Sequence, residues 1–529
     1  MAKFKHIMIL LLVLAAGCND DFLERYPYGQ LYPETFYQTE QDARYATNAC
    51  YDYLRYLNGF WAQGYRIFGT YLSDDLSNGS LFTNYVLGDI TAADNDLVTG
   101  SWKNAYIAIA RCNLSIEGIE GMSDELIDPV VKNQHLGEIR FIRSFFYFRL
   151  VRLFGDVPLI LQPPDASDEA SLYPSRTSVD QIYQQAILPD LEFAADNLPP
   201  YYPSSDDANR ITSGAANSYL CLAHLASGNW ALAEQFGKLV TNSGEYRLLE
   251  DFNEIINENH EFNKESVFEI SYSKIHENFN SKYFGTTEGH ICRGGVYLSH
   301  SMSSVDLRNA FSLIDGNPIT TDPLGIYDEA EFWENRDPRF DFTYYTPLDT
   351  VEDINGNTVG FDMDWVYDKT TGADFQKNTL WYGENDDHVG LNWVEMRYAE
   401  VLLNVAEALI MQDKFAEAAS YINQVRKRAR DYALADPGRY NQAGLADDRV
   451  LPEITISDRA GGLDRLRYEK RVEFAAEDKR GFDLRRWGIE EQTWAAVAGF
   501  TWDDKLHLLP IPQDALDLNK KLTPNPGWE

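Results

Sequence analysis

Acidic and basic side chains interleave over residues 463–488, in the run LDRLRYEKRVEFAAEDKRGFDLRRWG. Two carboxylates at a defined separation in a cleft can hydrolyse a glycosidic bond, so the run invites an acid–base interpretation. The acids and bases nevertheless recur at helical spacing, which is typical of an ion-pair network between helices. We therefore predict a structural ion network and no catalytic pair. Its members, with two arginines from an earlier helix, are Arg140, Arg143, Glu473, Glu477, Arg480, Asp483 and Arg485.

Other motifs that could carry chemistry are incomplete. Residues 353–357, DINGN, resemble part of a calcium loop, but Gly356 stands at the fourth place instead of the sixth and no Glu occupies the twelfth. Asn355-Gly356 fits a hairpin turn better. The nine His residues form no ligand cluster, and the sequence has no Gly-rich nucleotide loop, nucleophile elbow or HExxH. We therefore predict no metal site, no cofactor and no catalytic residue.

Aromatic residues are frequent in two segments with the composition of loops. Residues 58–101 and 246–392 are rich in Gly, Asn and Asp, so their large rings cannot all be core. An exposed Trp or Tyr ring can pack against the C–H face of a sugar or grip a peptide side chain, and loops often carry function. Rings in helical patterns, such as Trp102, Trp230 and Trp487, are expected in the core. The candidate ligand-binding residues are Trp61, Tyr65, Tyr85, Trp333, Trp365 and Trp381.

The elements that position these residues are organised around residues 137–160, GEIRFIRSFFYFRLVRLFGDVPLI. The helical part is apolar on almost every face, which predicts a core helix, and it is too short and too rich in Arg to span a membrane. Gly155 can adopt a left-handed cap and Pro158 prevents continuation. Four arginines at helical spacing are expected to share one flank and to face the ion network, because buried guanidinium groups need carboxylate partners. They are Arg140, Arg143, Arg149 and Arg152.

Two short segments resemble the turn between the helices of a tetratricopeptide repeat. They are GNWALA at residues 228–233 and DKFAEA at residues 413–418. In both, a small residue precedes the final alanine by twelve positions, Cys221 before Ala233 and Ala406 before Ala418. Matched small positions let two helices cross closely, so each segment predicts a helix pair.

The two turns are 185 residues apart, far more than the ~34 of a tandem repeat. A long insertion is therefore expected between helix pairs that still pack together. Residues 246–392 form this insertion, with strand-like runs at Ser266–Tyr272 and Phe340–Tyr345. The sequence predicts an N-terminal helical part over residues 39–245 and a C-terminal helical part over residues 393–529 that packs back on it.

The N-terminus has the layout of an export signal. Lys3 and Lys5 precede a short apolar run over residues 7–14, and small residues lead to Cys18. We predict a signal peptide over residues 1–17, lipidation of Cys18, and a tether over residues 18–38. The net charge of −36 argues against a nucleic-acid partner, which needs clustered Lys and Arg.

Four cysteines follow Cys18, and none forms a CxxC pair or has zinc-ligand spacing. Three of them lie in helical patterns and are expected to be small buried hydrophobic residues. Export would permit a disulfide, but the sequence cannot pair them. The four are Cys50, Cys112, Cys221 and Cys292.

Motifs in order along almost the whole chain resemble those of the SusD/RagB lipoproteins of Bacteroidetes-type bacteria. Asp478 departs from the resemblance, because it stands where Gly is usual. The matching stretches include Cys18 with Asp21-Phe22-Leu23, Gly137–Ile160, Arg336–Arg339, Arg397–Ala408, Arg471–Trp487, Leu509–Pro512 and Asn525–Gly527.

The resemblance implies a mainly α fold of tetratricopeptide-like helix pairs, with an irregular, loop-rich ligand region that contains a few short strands. It also implies a lipid-anchored protein on the outer face of the outer membrane. Its partner would be a SusC-like TonB-dependent β-barrel transporter, and its ligand an oligosaccharide that it captures without catalysis. Peptide capture by a member of the same family and a surface glycoside hydrolase are the alternatives.

Overall fold

The computed structural model of the chain is mainly helical. It describes residues 36–57, 67–77, 83–94, 98–257, 259–272, 303–352, 358–366, 371–378, 391–495 and 500–529. Cys18, the signal segment and Cys292 lie outside these ranges. Among the described residues, no helix is long and apolar enough to cross a membrane.

The described helices are numbered here in chain order, with one π-helical turn at Tyr183–Ile187 between α7 and α8. They are α1 Glu40–Tyr51, α2 Ile67–Tyr71, α3 Thr83–Val86, α4 Val98–Glu120, α5 Pro129–Phe154, α6 Glu169–Leu172, α7 Val179–Ile182, α8 Leu188–Asn197, α9 Ser213–Ala226, α10 Trp230–Thr241, α11 Val305–Ala310, α12 Arg339–Thr343, α13 Tyr398–Met411, α14 Phe415–Ala435, α15 Pro437–Tyr440, α16 Arg459–Glu473, α17 Arg480–Trp487, α18 Glu490–Trp494 and α19 Gln513–Leu518.

The strands are short and pair in antiparallel twos. Strand β3 pairs with β6, and this pairing joins the start of the insertion to the segment that enters α13, with Ser266 opposite Arg397. Strands β4 and β5 pair with each other, and the turn predicted at Asn355-Gly356 between them lies outside the described residues. The strands are β1 Val157–Pro158, β2 Arg176–Thr177, β3 Ser266–Ile270, β4 Thr350–Glu352, β5 Thr358–Gly360 and β6 Trp393–Arg397.

The central helix predicted from residues 137–160 is α5. It begins at Pro129, whose missing N–H costs nothing in the first turn, and the Asp128 carboxylate accepts the backbone N–H of Val130 at 2.8 Å. It ends at Gly155, which has a φ of 70°. The helix is buried along most of its length and packs against α4 and α8, so both the core position and the stop signal are confirmed.

The two helix pairs pack together as predicted. Helix α9 packs on α10, α13 packs on α14, and α10 packs against α13 across the long insertion. A Cβ at Gly237 in α10 would overlap the side chain of Val405 and lie 3.1 Å from the Cys221 sulfur. Cys221 and Ala233 are fully buried in the same small cluster, so the small residues are what allow the close crossing. We call α9, α10, α13 and α14 the platform.

One strand prediction is confirmed and the other is wrong. Ser266–Tyr272 contains β3, but Phe340–Tyr345 overlaps helix α12. The Asp337 carboxylate accepts the backbone N–H of Arg339 at 3.1 Å, and the Thr343 hydroxyl donates back to the Arg339 carbonyl at 2.7 Å. These local hydrogen bonds start and close a helical turn, which overrides the strand preference of the aromatic and β-branched residues. Cys50, Cys112 and Cys221 are buried, as expected, and none of the three forms a disulfide.

Candidate functional site

The insertion is fastened to the C-terminal helices by buried ion pairs. Arg397, at the end of β6, donates to Glu265 at 2.6 Å and to Glu473 of α16 at 2.9 Å. Arg428 of α14 also bridges Glu265 and Glu473. All four side chains are almost completely buried. We call this group, with the residues paired to it below, the buried ion network.

Further residues of the insertion join the buried ion network. Arg339 of α12 donates to Glu469 at 2.7 Å, and Lys377 donates to Glu477 at 2.9 Å. Burial alone would raise the pKa of Glu473, but Arg428, Arg397 and Arg339 hold it well below the usual range. Burial would also raise the pKa of Glu477, but Arg397 and Lys377 lower the pKa of this carboxyl below its usual value. Carboxylates that are ionised and fully paired are suited to fixing geometry rather than to exchanging protons.

The remaining predicted members of the ion network lie in separate clusters. Arg480 pairs with Asp74 at 2.8 Å. Asp483 accepts from Lys470 and Arg486, and Arg485 pairs with Glu490. The loop that follows α2 is therefore tied to α17, while Asp483 and Arg485 stabilise the ends of α16 and α17 themselves.

The prediction that the four arginines of α5 share one flank is wrong. Arg143 pairs with Asp190 of α8 at 2.7 Å, and Arg140 pairs with Glu120 of α4 at 2.8 Å. Arg149 instead reaches Glu395 at 2.9 Å and Asp478 at 3.3 Å. Nine residues separate Arg140 from Arg149, which is two and a half helical turns at about 3.6 residues per turn, so they lie on opposite sides.

Asp478, the departure from the family pattern, has a φ of 58°. This left-handed conformation favours Gly and tolerates Asp, because a short carboxylate can bond locally. Here the side chain pairs with Arg149 and accepts the backbone N–H of Thr70 at 3.0 Å. The carboxylate therefore compensates in part for the backbone strain that Gly would avoid.

Trp333 lies on a loop that the buried part of the insertion holds in place. Arg336, only 2 % exposed, donates to the carbonyls of Phe332, Arg308 and Phe311, each at 2.8 Å. Phe332 is buried, and the half-buried Trp333 ring packs edge-on against it with centroids 5.1 Å apart. The loop is thus anchored by its buried residues while one indole stays partly accessible.

A cation lies over Phe332, the ring on which this indole packs, because the Arg308 guanidinium is 4.7 Å from the Phe332 centroid. Arg308 donates to Glu329 at 2.8 Å, and the Tyr327 hydroxyl donates to the same carboxylate. The hydrogen bond from Tyr327 is the main cause of a lowered pKa at Glu329, which is therefore an ionised acceptor at neutral pH. We call Tyr327, Glu329, Phe332 and Trp333 the Trp333 surface. An aromatic face beside a charged acceptor can hold a molecule that has both apolar C–H groups and hydroxyls.

Of the other predicted ligand residues, one is buried and the side chains of four lie outside the described residues. Tyr85 is 1 % exposed and packs edge-on against Phe68, so its prediction as an exposed ring is wrong. Tyr85 belongs to the short helix α3, which places its ring in the core, although the surrounding residues have the composition of a loop. Trp61, Tyr65 and Trp381 lie outside the described residues, and so does the side chain of Trp365.

Tyr327 and Glu329 were missed by the sequence reasoning. The signal that could have found them is the run YDEAEFW at residues 327–333, where acids lie between two aromatic residues. Among the described residues, no group of His, Cys, Asp or Glu is arranged to hold a metal ion.

The geometry and the motifs agree with comparisons to known proteins. Residues 264–528 match the model of the SusD family. Residues 21–225 match a second model, described as starch-binding associating with outer membrane. The first match alone spans half of the chain, and the chain therefore belongs to the SusD family.

Relatives are similar over essentially their full lengths. The chain is 28 % identical to SusD-like protein P2 of Formosa agariphila, with 100 % of both chains covered. It resembles the structure of a SusD-like carbohydrate binding protein from Bacteroides fragilis, with a TM-score of 0.74, 22 % identity, and 92 % of this chain and 100 % of that chain covered. A laminarin binding SusD-like protein gives a TM-score of 0.70 at 21 % identity, with coverage of 93 % and 100 %. At these identities the structural likeness shows the SusD-like α-helical fold.

Proposed function

We propose that this protein is a cell-surface lipoprotein that binds an oligosaccharide or polysaccharide and delivers it to a TonB-dependent outer-membrane transporter. Family membership supports glycan binding, because members of the fold include a carbohydrate binding protein and a laminarin binding protein. The observation that carries the proposal within this chain is the Trp333 surface. Its partly accessible indole packs on Phe332, and the ionised Glu329 pairs with Arg308, the cation that lies over the same Phe332 ring. Trp61, Tyr65, Trp365 and Trp381 remain predicted contributors.

The proposed role is non-enzymatic. In the C-terminal run that invites an acid–base interpretation, Glu473 and Glu477 are buried and neutralised by Arg397, Arg428 and Lys377. A glycosidase needs one carboxylic acid that gives up a proton and a second carboxylate in the same cleft. Incubation of the purified protein with soluble glycans should release no shorter products, and product release would overturn this part of the proposal.

The binding test compares two half-buried tryptophans in different regions. Trp333→Ala should weaken binding to the best soluble glycan in an affinity-gel or calorimetric screen by about tenfold or more, since one aromatic contact contributes about 1–2 kcal/mol. Its thermal unfolding should stay nearly unchanged. Trp230→Ala is the matched control, because this ring packs on the Cys221 cluster of the platform. That variant should lose stability and keep its affinity.

Each alternative has its own outcome. If soluble glycans fail to bind and a peptide library binds in a Trp333-dependent way, peptide capture replaces glycan capture. If Trp333→Ala binds normally, or if it melts early like Trp230→Ala, the assignment of the Trp333 surface is wrong.

Delivery and anchoring are tested in cells. The N-terminal model is described as associating with outer membrane, which supports the proposed location. Cys18→Ser should abolish incorporation of labelled fatty acid and release the protein from the membrane fraction. An affinity tag on the C-terminus should co-purify a TonB-dependent β-barrel transporter, and its repeated absence would contradict the delivery step.

A further inference from the structure

A cavity of about 210 Å³ lies beside the C-terminal end of α5. Residues of α5, α9 and α17 line it, together with Tyr183 and Lys479, and the residues of the Trp333 surface do not contribute to it. Its volume is well above the roughly 15 Å³ that a cavity needs in order to hold one water molecule. The cavity is therefore large enough for a small organic molecule and is distinct from the proposed glycan site.

Most cations that line this cavity have a carboxylate partner. Arg149 pairs with Glu395 and Lys479 pairs with Glu400 at 3.0 Å. Two further cations pair with acids that belong to α13, α17 and α18. These pairs are Arg486 with Glu407 and Asp483, and Arg485 with Glu490.

Arg152 is different. Its guanidinium lies 4.2 Å from the centroid of the Phe148 ring and 4.0 Å from that of Phe482. Within the described part of the chain its side chain has no hydrogen bond or ion pair, and its Nε is buried without a partner. Burial, followed by repulsion from Arg149, lowers the pKa of Arg152 to about 10, so the group still carries its charge at neutral pH. Free N–H donors of a fixed cation are thus left at the wall of the cavity.

Arg336 shows how the fold treats a buried arginine that has only a structural role. It also lacks a carboxylate partner, and burial lowers its pKa to about 10. Its Nε is buried without a partner, as in Arg152, but three backbone carbonyls accept the N–H groups of its two terminal nitrogens at 2.8 Å. The Arg152 side chain lines a cavity, whereas the terminal nitrogens of Arg336 meet backbone carbonyls. A charged N–H donor without an acceptor is unfavourable away from bulk water, so an acceptor supplied from outside would remove that cost.

A second donor faces the same space. Tyr183 lines the cavity, and its hydroxyl makes no hydrogen bond within the described residues. Burial raises the pKa of Tyr183 to about 12, so it remains a neutral O–H donor at physiological pH. Val179, Leu222 and Leu508 supply an apolar wall. A planar cation, a phenol donor and an apolar wall suit a small organic molecule with one oxyanion.

We propose that this cavity binds a small oxyanion, such as the carboxylate of an organic acid, through the Arg152 guanidinium and the Tyr183 hydroxyl. A carboxylate and a phosphate share the chemistry that the guanidinium recognises, because both offer two oxygens to its paired N–H donors. The apolar wall favours an anion that also has a carbon skeleton. The bound anion would neutralise a charge that the fold leaves uncompensated.

The test is titration calorimetry on the mature full chain with sodium glucuronate, sodium acetate and sodium phosphate, each compared with sodium chloride at equal ionic strength. At least one of these anions should bind with a stoichiometry of one and raise the melting temperature beyond the chloride reference. Binding of glucuronate or acetate would identify a carboxylate ligand, and binding of phosphate alone would identify an inorganic oxyanion. Absence of heat and of stabilisation for all three would overturn the proposal.

The variants separate the guanidinium from its packing. Arg152→Met keeps a linear side chain between the Phe148 and Phe482 rings and should weaken binding of the anion about tenfold or more, as expected for a charge-assisted hydrogen bond. Arg152→Lys keeps the charge but loses the paired donors and should bind several-fold more weakly. Arg140→Met is the matched control. Arg140 lies on the same helix as Arg152 and also lies over an aromatic ring, that of Phe193, but it already pairs with Glu120.

If Arg152→Met folds poorly, the proposal can still be tested, since Arg152→Lys and a soak of wild-type crystals with glucuronate probe the same contact. Unchanged binding in both Arg152 variants, or equal loss in Arg140→Met, would overturn the assignment. Arg152→Met should retain glycan affinity, because the cavity and the Trp333 surface share no residue. Failure of this inference is therefore distinguishable from failure of the proposed function.

Discussion

Where α10 crosses α13, the buried centre of the contact is made by small uncharged residues, and the ion pairs of Glu234 and Lys238 lie at its accessible edge. Where the insertion meets α14 and α16, the contact is made by buried ion pairs. At the first contact Gly237, Cys221 and Val405 lie against one another without a charge between them. At the second, Glu265 and Arg397 meet Arg428 and Glu473 in a buried cluster.

The two contacts have different physical consequences. Apolar packing at the platform depends on volume and tolerates changes in pH and salt. A buried ion pair contributes little net free energy over an apolar pair, because desolvation offsets attraction, but it demands one geometry. We infer that the platform supplies stability, while the buried ion network sets how the insertion and its Trp333 surface are held. The following predictions test this difference.

The largest effect is expected from removing one acid of the buried ion network. Glu473→Ala would leave Arg397 and Arg428 with too few carboxylates in a dry environment. Unpairing such a buried charge costs about 3–5 kcal/mol, so the free energy of unfolding should fall by that amount in a denaturant titration. A loss below about 1 kcal/mol would show that water reaches the network and that the contact is not charge-controlled.

The next effect tests the platform. Gly237→Val would place carbon atoms where Val405 and Cys221 already lie, and overpacking of a dense contact costs about 1–3 kcal/mol. The loss should be independent of salt and pH, in contrast to Glu473→Ala. Gly360→Ala is the control, because nothing lies within 4 Å of a Cβ at Gly360. Equal destabilisation by both variants would mean that helix crossing is not the cause.

A smaller effect should appear as a pH dependence within the insertion. Burial, followed by repulsion from Asp341, raises the pKa of Asp349 from 3.8 to about 6, although Arg439 pairs with both acids. A raised carboxyl pKa stabilises the folded state below pH 3.8, and this stabilisation is lost as pH rises through 6. The difference in melting temperature between wild type and Asp349→Asn should therefore shift in favour of wild type as pH falls from 7 to 4.

The size of that shift should correspond to a free energy of roughly 2 kcal/mol, because the pKa moves from 3.8 to about 6 and each pKa unit corresponds to about 1.4 kcal/mol. It is measured as the difference between two melting curves at each pH, because other acids contribute equally to both proteins. Glu473 acts in the opposite direction, since its lowered pKa makes stability fall on acidification. A constant difference between the two proteins across this range would contradict the raised pKa of Asp349.

The smallest effect is expected at an exposed ion pair beside the platform turn. Arg459 pairs with Asp413 at 2.9 Å, with side chains 47 % and 60 % exposed. Exposed pairs contribute less than about 1 kcal/mol, so Arg459→Ala should change the midpoint of denaturation only slightly. A loss as large as that of Glu473→Ala would show that ion pairs stabilise this protein irrespective of burial, so the platform and the buried ion network would not differ in this respect.

Local sequence signals predicted much of the fold. The apolar run of α5, its stop at Gly155, the two turns that end at Ala233 and Ala418, and strand β3 were all recognisable, because helical periodicity and capping residues act over a few neighbours. The strand predicted at Phe340–Tyr345 failed because the Asp337 carboxylate accepts the backbone N–H of Arg339 and the Thr343 hydroxyl donates to the Arg339 carbonyl, which forms a helical turn there. Composition placed Tyr85 in a loop, yet the ring is in the core.

The candidate site was less predictable. Trp333 was proposed from its residue type, but the acceptor Glu329 and the anchor Arg336 were not, because their roles depend on contacts with Arg308 and Phe311. Trp61, Tyr65, Trp365 and Trp381 keep the status of predictions.

The sequence by itself determined most of the long helical segments, which residues at the helix crossings are small, and which residues carry charge. Only the tertiary structure decided how those charges are paired. Arg143 and Arg149 lie six residues apart on α5, yet one meets Asp190 and the other meets Glu395 and Asp478. Helical periodicity acts along the chain and is written in neighbouring residues, whereas ion pairing depends on which distant segments share a buried space.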